Sequence, residues 1–238
     1  MELTTVLFDL DGTLLPMDQD VFVKGYFGLL ARKLAPLGYE PERLFRALWA
    51  GVAAMVKNDG HALNEEVFWE VFCSIYGEAV LADRPVFDAF YRNEFGQVRH
   101  SCGYDARAAA VIRQLKEKGY RVALATNPLF PPEATNSRIR WAGLQPEDFE
   151  LVTTYDNSRF CKPNPAYYSE IMDKLGVRAE ECMMVGNDVE EDMMTAEMGM
   201  RVFLLTPCLI NRQGRDISAY PQGGFDELSA CIAQLPAR

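Results

Sequence analysis

Two carboxylates, Asp9 and Asp11, close the apolar run Val6-Leu7-Phe8, and a glycine turn follows in Asp9-Leu10-Asp11-Gly12-Thr13. Side chains alternate faces along an extended chain, so Asp9 and Asp11 point to one side. Two carboxylates held together repel each other and lose hydration. They want a cation, and hard oxygen ligands suit Mg²⁺. A strand followed by a solvated Asp-Gly turn accounts for Asp11-Gly12, but it leaves Asp9 unexplained at the end of an apolar strand. A calcium loop needs alternating acids with glycine at the sixth place, whereas Gly12 is fourth counting from Asp9.

Three later segments give this pair its context: Ala125-Thr126-Asn127, Lys162-Pro163, and Gly186-Asn187-Asp188-Val189-Glu190-Glu191-Asp192. They follow in that order, each near the end of an apolar, strand-like run. The set resembles the haloacid dehalogenase-like (HAD) hydrolase superfamily, whose members are mostly Mg²⁺-dependent phosphatases. The resemblance covers residues 3–205 in motif order and says little about substrate. It implies an α/β fold: a Rossmann-like parallel sheet of strand order 5-4-1-2-3, with an all-helical C1 cap inserted after the first strand.

The resemblance also implies roles. Asp9 is the candidate nucleophile, forming an aspartyl phosphate. Asp11 protonates the leaving alcohol and then deprotonates water, and its backbone carbonyl joins the metal shell. Thr126 and Asn127 donate to phosphoryl oxygens, and Lys162 pairs with the phosphoryl group and Asp9. On sequence alone Thr126 is as readily an ordinary strand-end threonine, and a lone lysine is usually a solvated charge. The acidic motif departs from the common Gly-Asp pattern. Asp188 with Asp192 keeps one spacing of the family, and Asn187 with Asp192 fits another. Charge favours Asp188 as the metal ligand, since an anion binds Mg²⁺ better than an amide does; Asn187 stands as the alternative. Asp192 then orients the metal shell or Lys162. Glu190 and Glu191 read as a negative first helical turn.

The chain has 238 residues, enough for one large domain or a core with an inserted module. Its formal charge is −10, which argues against nucleic acid as a partner. No apolar run approaches a membrane span. The first residues lead straight into a strand, so the expected location is cytoplasmic. Six cysteines lie scattered without metal-ligand spacing and read as free thiols. Cys161 lies beside Lys162, a neighbour that can lower a thiol pKa, though adjacency alone is weak evidence.

The elements that must position these residues fall into two groups. Strand and helix alternate in Leu3–Asp9, Asp105–Lys118, Tyr120–Thr126, Pro132–Trp141, Leu151–Thr154, Asn164–Leu175, Glu181–Val185, Asp188–Met198 and Met200–Leu205. A terminal helix is expected near Phe225–Gln234. Such alternation implies a parallel sheet covered on both faces. Residues 17–100 instead carry helical apolar spacing throughout, with helices expected near Val21–Leu34, over Pro41–Val56 and Asn64–Tyr76, and near Val86–Phe95. The division is therefore a core of residues 1–16 and 101–238 and a helical cap of residues 17–100. In open α/β sheets ligands sit beyond the carboxyl ends of the strands; Asp9, Thr126 and Asp188 all lie at such ends.

The expected activity is Mg²⁺-dependent hydrolysis of a small phosphorylated metabolite by a monomer or homodimer, without nucleic acid or membrane. A phosphomutase or phosphonatase of the same superfamily is the alternative. The phosphonatase branch needs a cap lysine, and Lys24, Lys33 and Lys57 are present without the supporting context. The metal-free dehalogenase branch lacks the second aspartate, so Asp11 argues against it. No lysine precedes Ser or Thr, which excludes a P-loop, and no G-x-G occurs. An acidic interaction protein is disfavoured because every catalytic position holds a usable residue. The Lys57–His61 turn is the cap segment singled out as a possible substrate contact.

Overall fold

A computed structural model describes residues 2–238. Five strands form one parallel sheet: β1 (Thr5–Phe8), β2 (Arg121–Leu124), β3 (Cys182–Gly186), β4 (Arg201–Leu205) and β5 (Gln222–Gly223). Their spatial order is β2-β1-β3-β4-β5. The register places Phe8 between Leu124 and Val185, so the ends of three strands are level.

The expected Leu151–Thr154 strand contracts to a single bridge between Val152 and Leu124. Leu124 N–H donates to the Leu151 carbonyl at 2.8 Å, and Thr153 N–H to the Leu124 carbonyl at 3.1 Å. Counting this segment as the third strand beyond β2 gives 5-4-1-2-3, with β4 as the fifth. The short β5 is an addition outside β4.

Both sheet faces are buried, as parallel strands require. Leu7, Ala123, Met184 and Leu204 face α7 (Pro165–Leu175), which presents Tyr167, Tyr168 and Ile171. Val6, Phe8, Leu124, Met183, Val185 and Phe203 belong to the opposite core with α5 (Ala106–Glu117) and α8 (Phe225–Ala233). Local signals set the helix ends. The Asp105 carboxylate accepts from Arg107 N–H and starts α5. Gly176, at φ 65°, ends α7 in a left-handed conformation natural to glycine.

Residues 188–198 do not form the expected α-helix. They make a turn and then a 3₁₀ segment, Met193–Met198. The Asp188 carboxylate accepts from the Glu190 and Glu191 N–H groups at 2.9 Å, so a side chain competes locally with helical bonding.

Between β1 and α5 lie α1 (Gln19–Leu34), α2 (Pro41–Val56), α3 (Asn64–Tyr76) and α4 (Arg84–Asn93), and among the described residues no strand interrupts them. The chain leaves and re-enters the sheet region at one place: Met17 bridges Cys102, and Gly103 N–H donates to the Pro16 carbonyl at 2.7 Å. An aromatic seam carries the helical block onto α6 (Pro132–Trp141) and the loop before it. Phe22, Tyr26 and Phe95 all pack on Phe130, and Phe95 stacks on Trp141 at 5.3 Å.

Asn64, fully buried at the start of α3, ties the block to two core loops. Its N–H donates to the Ser158 carbonyl at 2.9 Å. Its Nδ2 reaches Cys161 Sγ and the Phe160 and Pro128 carbonyls at 3.3–3.4 Å, and its Oδ1 accepts from Asn58 Nδ2 at 2.9 Å. Replacing Asn64 by leucine is expected to lower stability by about 1–3 kcal/mol, because buried polar partners are orphaned. Chemical denaturation measures this; an unchanged midpoint would show that the amide holds nothing together.

Candidate active site

Asp9 directly follows β1, and its N–H donates to the Val185 carbonyl of β3 at 2.9 Å. Thr126 lies just past β2, and Asn187 and Asp188 just past β3. Three adjacent parallel strands therefore deliver the residues just beyond their carboxyl ends to one edge, the usual ligand edge of such sheets. Asp9, Thr126, Lys162, Asn187, Asp188 and Asp192 are all buried there.

Lys162 organises the centre. Its Nζ donates to Asp9 Oδ1 at 2.8 Å and to Asp192 Oδ1 at 2.7 Å. Burial disfavours its charge, but Asp192 and Asp9 outweigh that and hold its pKa well above the ordinary lysine value. Burial likewise pushes the Asp192 carboxyl up, against the pull of Lys162. The second Asp192 oxygen accepts from Asp188 N–H at 3.1 Å and so fixes the turn after β3.

Asp11 meets a residue that the sequence motifs did not reveal. Arg138 of α6, only 1 % exposed, donates from Nη1 to Asp11 Oδ2. The guanidinium carbon stands 4.4 Å from the Phe130 ring centroid, a cation–π contact. Asp11 Oδ1 is buried and has no partner among the described residues. Burial raises the Asp11 pKa, and Arg138 opposes that rise. A sequence signal for Arg138 existed. It sits four residues after buried Ala134 and next to buried Ile139, an apolar-face position where an arginine needs a partner.

Asn187 and Asp188 differ sharply in surroundings. Thr13 Oγ1 lies 3.1 Å from Asp9 Oδ2 and 3.0 Å from Asn187 Oδ1. One hydroxyl proton cannot serve both acceptors, so this cluster has more oxygen than hydrogen to satisfy it. Such a hard, all-oxygen set fits Mg²⁺. Asp188, by contrast, gives Oδ1 to two backbone N–H groups and accepts from Arg212 on Oδ2 at 2.7 Å. Arg212 is the second residue missed by the motifs; its loop lies far along the chain and carries no local pattern.

Thr126 is buried at this edge, and its carbonyl accepts from Thr153 Oγ1 and the Tyr167 hydroxyl. Asn127 donates to Glu191 Oε2 at 3.3 Å, and its own Oδ1 is buried without a partner among the described residues. Glu191 is not the solvated helix-start acid that its position suggests: burial raises its pKa. Cys161 is also unlike a reactive thiol, for burial pushes it up to about 12. All six cysteines are free.

The Lys57–His61 turn lies against the loop that carries Lys162. A Cβ on Gly60, where φ is +93°, would stand 2.4 Å from the Phe160 ring. His61 and Asp59 pair with each other in solvent at 2.7 Å.

The haloacid dehalogenase-like hydrolase family profile matches residues 3–199. The pyrophosphatase PpaX of Halalkalibacterium halodurans is 24 % identical over 214 residues, covering 84 % of this chain and 82 % of the relative. A phosphoglycolate phosphatase of Vibrio parahaemolyticus is 25 % identical over 205 residues, covering 86 % and 84 %. Among solved structures, a 2-haloacid dehalogenase from Pseudomonas syringae superposes with a TM-score of 0.64 at 20 % identity, covering 98 % of this chain and 99 % of that one; it supports the fold alone. The match over most of the chain, the sheet order and the converging Asp9, Lys162 and Asp192 agree, and the chain belongs to the haloacid dehalogenase-like hydrolases.

Proposed function

We propose that the chain is a Mg²⁺-dependent phosphatase that cleaves a small soluble phosphate monoester through an aspartyl phosphate on Asp9. The observation that carries this is the setting of Asp9. One oxygen accepts from Lys162 and the other lies 3.1 Å from the hydroxyl that Thr13 shares with Asn187, at the ligand edge of the sheet, with Asp11 two residues on. The phosphatase relatives support the same reading.

Phosphate monoesters hydrolyse very slowly in water, and a covalent intermediate divides the barrier. An Asp9 carboxylate oxygen attacks phosphorus, and the bond to the leaving oxygen breaks. Asp11 gives that oxygen a proton and afterwards takes one from water. The water oxygen attacks phosphorus, the bond to Asp9 breaks, and phosphate departs with Asp9 restored. Arg138 occupies Asp11 Oδ2, which leaves the orphaned Oδ1 as the atom that carries the proton. Lys162 keeps a positive charge beside the nucleophile, and Thr126 and Asn127 offer donors to phosphoryl oxygens.

Asp9, the Asp11 carbonyl and Asn187 would hold Mg²⁺, which neutralises repulsion between the carboxylate and the phosphate. Charge alone favours Asp188, but it already accepts from two backbone N–H groups and the Arg212 guanidinium, whereas Asn187 Oδ1 and Asp9 Oδ2 share the single Thr13 hydroxyl proton; we therefore assign the ligand to Asn187 and give Asp188 the task of shaping the turn. Asp192 acts by holding Lys162. Residues 17–100 serve as the cap that closes over the site and excludes water.

Activity on an aryl phosphate is expected to vanish in EDTA and return with Mg²⁺. Asn187→Ala should raise the Mg²⁺ concentration that half-saturates thermal stabilisation of the protein, and Asp188→Asn should raise it less. Full activity without metal would sink the mechanism; the opposite ranking of the two variants would return the ligand to Asp188.

A further inference from the structure

The turn after β1 fixes the Asp11 backbone and leaves its side chain to a distant residue. Gly12 N–H donates to the Leu15 carbonyl at 2.8 Å, and Leu15 N–H donates to the Leu10 carbonyl at 2.9 Å. On the carboxylate, Oδ2 accepts from Arg138 Nη1, and Oδ1 has no partner among the described residues. Asp9 is two residues away and carries the same charge. Without a cation on Oδ2, repulsion would turn Asp11 away from it.

Arg138 is braced on every guanidinium nitrogen. Its Nε donates to the Ala134 carbonyl and its Nη2 to Thr135 Oγ1, both at 3.3 Å and both one turn back on α6. The guanidinium carbon lies 4.4 Å from the Phe130 ring centroid and 5.9 Å from that of Phe22 on α1. The planar fork therefore has a set direction, and Asp11 lies along it. A lysine, a point charge on a flexible stem, could not be held this way. At 1 % exposure Arg138 presents no surface to a substrate. Stability does not account for it either, since a buried ion pair can often be replaced by apolar side chains without loss.

Resting on the phosphatase reading, we infer that Arg138 is a positioning residue for both proton transfers: it aims Asp11 so that Oδ1 meets the leaving oxygen in the first step and water in the second, and it takes no part in the attack on phosphorus. Its importance therefore grows with the basicity of the leaving oxygen. An ester whose leaving group departs without a proton needs Arg138 little in the first step, and a simple alkyl or phenyl ester needs it most.

Substituted phenyl phosphates, from phenyl to 4-nitrophenyl, vary that basicity at nearly constant shape. With the full chain and Mg²⁺, single-turnover release of the phenol reads the first step alone. Arg138→Met is expected to slow phenyl phosphate on the order of 10²-fold, a usual cost of misplacing a reacting group, and 4-nitrophenyl phosphate much less. Asp11→Asn should tilt the series the same way, and Asp11→Asn/Arg138→Met should be no slower than Asp11→Asn alone, because the two residues act as one unit. Thr135→Val keeps the ion pair and removes only the Nη2 anchor; it should show the same tilt at smaller size, and it stands in if Arg138→Met does not fold. A loss in Arg138→Met that is equal across the series, or that multiplies with the loss in Asp11→Asn, would overturn the inference and leave the phosphatase reading intact. Should the methionine variant not fold, the wild-type slope in Thr135→Val would do the same. If the wild type cleaves none of these esters, the phosphatase reading falls, and the positioning role with it.

Discussion

Asp9→Asn protein is expected to fold normally and to hydrolyse phosphate esters at least about 10⁴-fold more slowly, since removing a nucleophile forfeits the covalent route. The amide is nearly isosteric and still accepts from Lys162 through Oδ1. It is a poor nucleophile at phosphorus. The defect should be the same for good and poor leaving groups, because both need the attack. Asp11→Asn should differ. Its loss is on the order of 10²–10⁴ for alkyl esters and smaller for the first step of an activated aryl ester, which departs without a proton. Near-normal kcat in Asp9→Asn would remove the covalent step from the account.

Lys162→Met is expected to be costly in two ways. It leaves Asp9 and Asp192 buried at one point with their shared cation gone. Breaking such a buried arrangement by removing one partner typically costs about 3–5 kcal/mol. It also deletes the positive charge beside the nucleophile, so turnover should fall with stability. The double variant Lys162→Met/Asp192→Asn separates the two effects. Neutralising Asp192 should restore much of the lost stability and none of the lost activity. Denaturation of the single and double variants measures the coupling directly. If Lys162→Met is as stable as wild type, the Asp9–Lys162–Asp192 bridge is not the organising contact of the site.

Much of the site was legible because the carboxyl ends of parallel strands collect their residues by geometry. Once Val6–Phe8, Tyr120–Thr126 and Glu181–Val185 read as strands of one sheet, Asp9, Thr126, Asn187 and Asp188 had to share an edge. The helices of residues 17–100 were legible from apolar spacing, and Pro41–Val56 and Asn64–Tyr76 match to the residue. What the sequence concealed depends on contacts between distant segments. Arg138 matters because α6 faces Asp11, 127 residues away in the chain. Arg212 engages Asp188 from a loop after β4. The balance between Asn187 and Asp188 was open for the same reason. Spacing allowed both, and only the neighbours of each carbonyl oxygen separate them. Asp188–Met198 failed as an α-helix because Asp188 and Asp192 spend their carboxylates on the backbone of the turn. The edge segment Leu151–Thr154 has strand composition but keeps only one bridge, between Val152 and Leu124.

The central claim is that phosphorus is transferred to Asp9, and the most direct measurement is to trap it there. Asp11→Asn protein, mixed with an aryl phosphate and Mg²⁺, should accumulate the intermediate because the base that activates water is missing. Acid quenching followed by peptide mass analysis is expected to find one phosphoryl group on the peptide that contains Asp9, lost on treatment with hydroxylamine. Release of the phenol in step with that adduct would tie it to the reaction. Turnover with no adduct, or an adduct on a residue other than Asp9, would contradict the account.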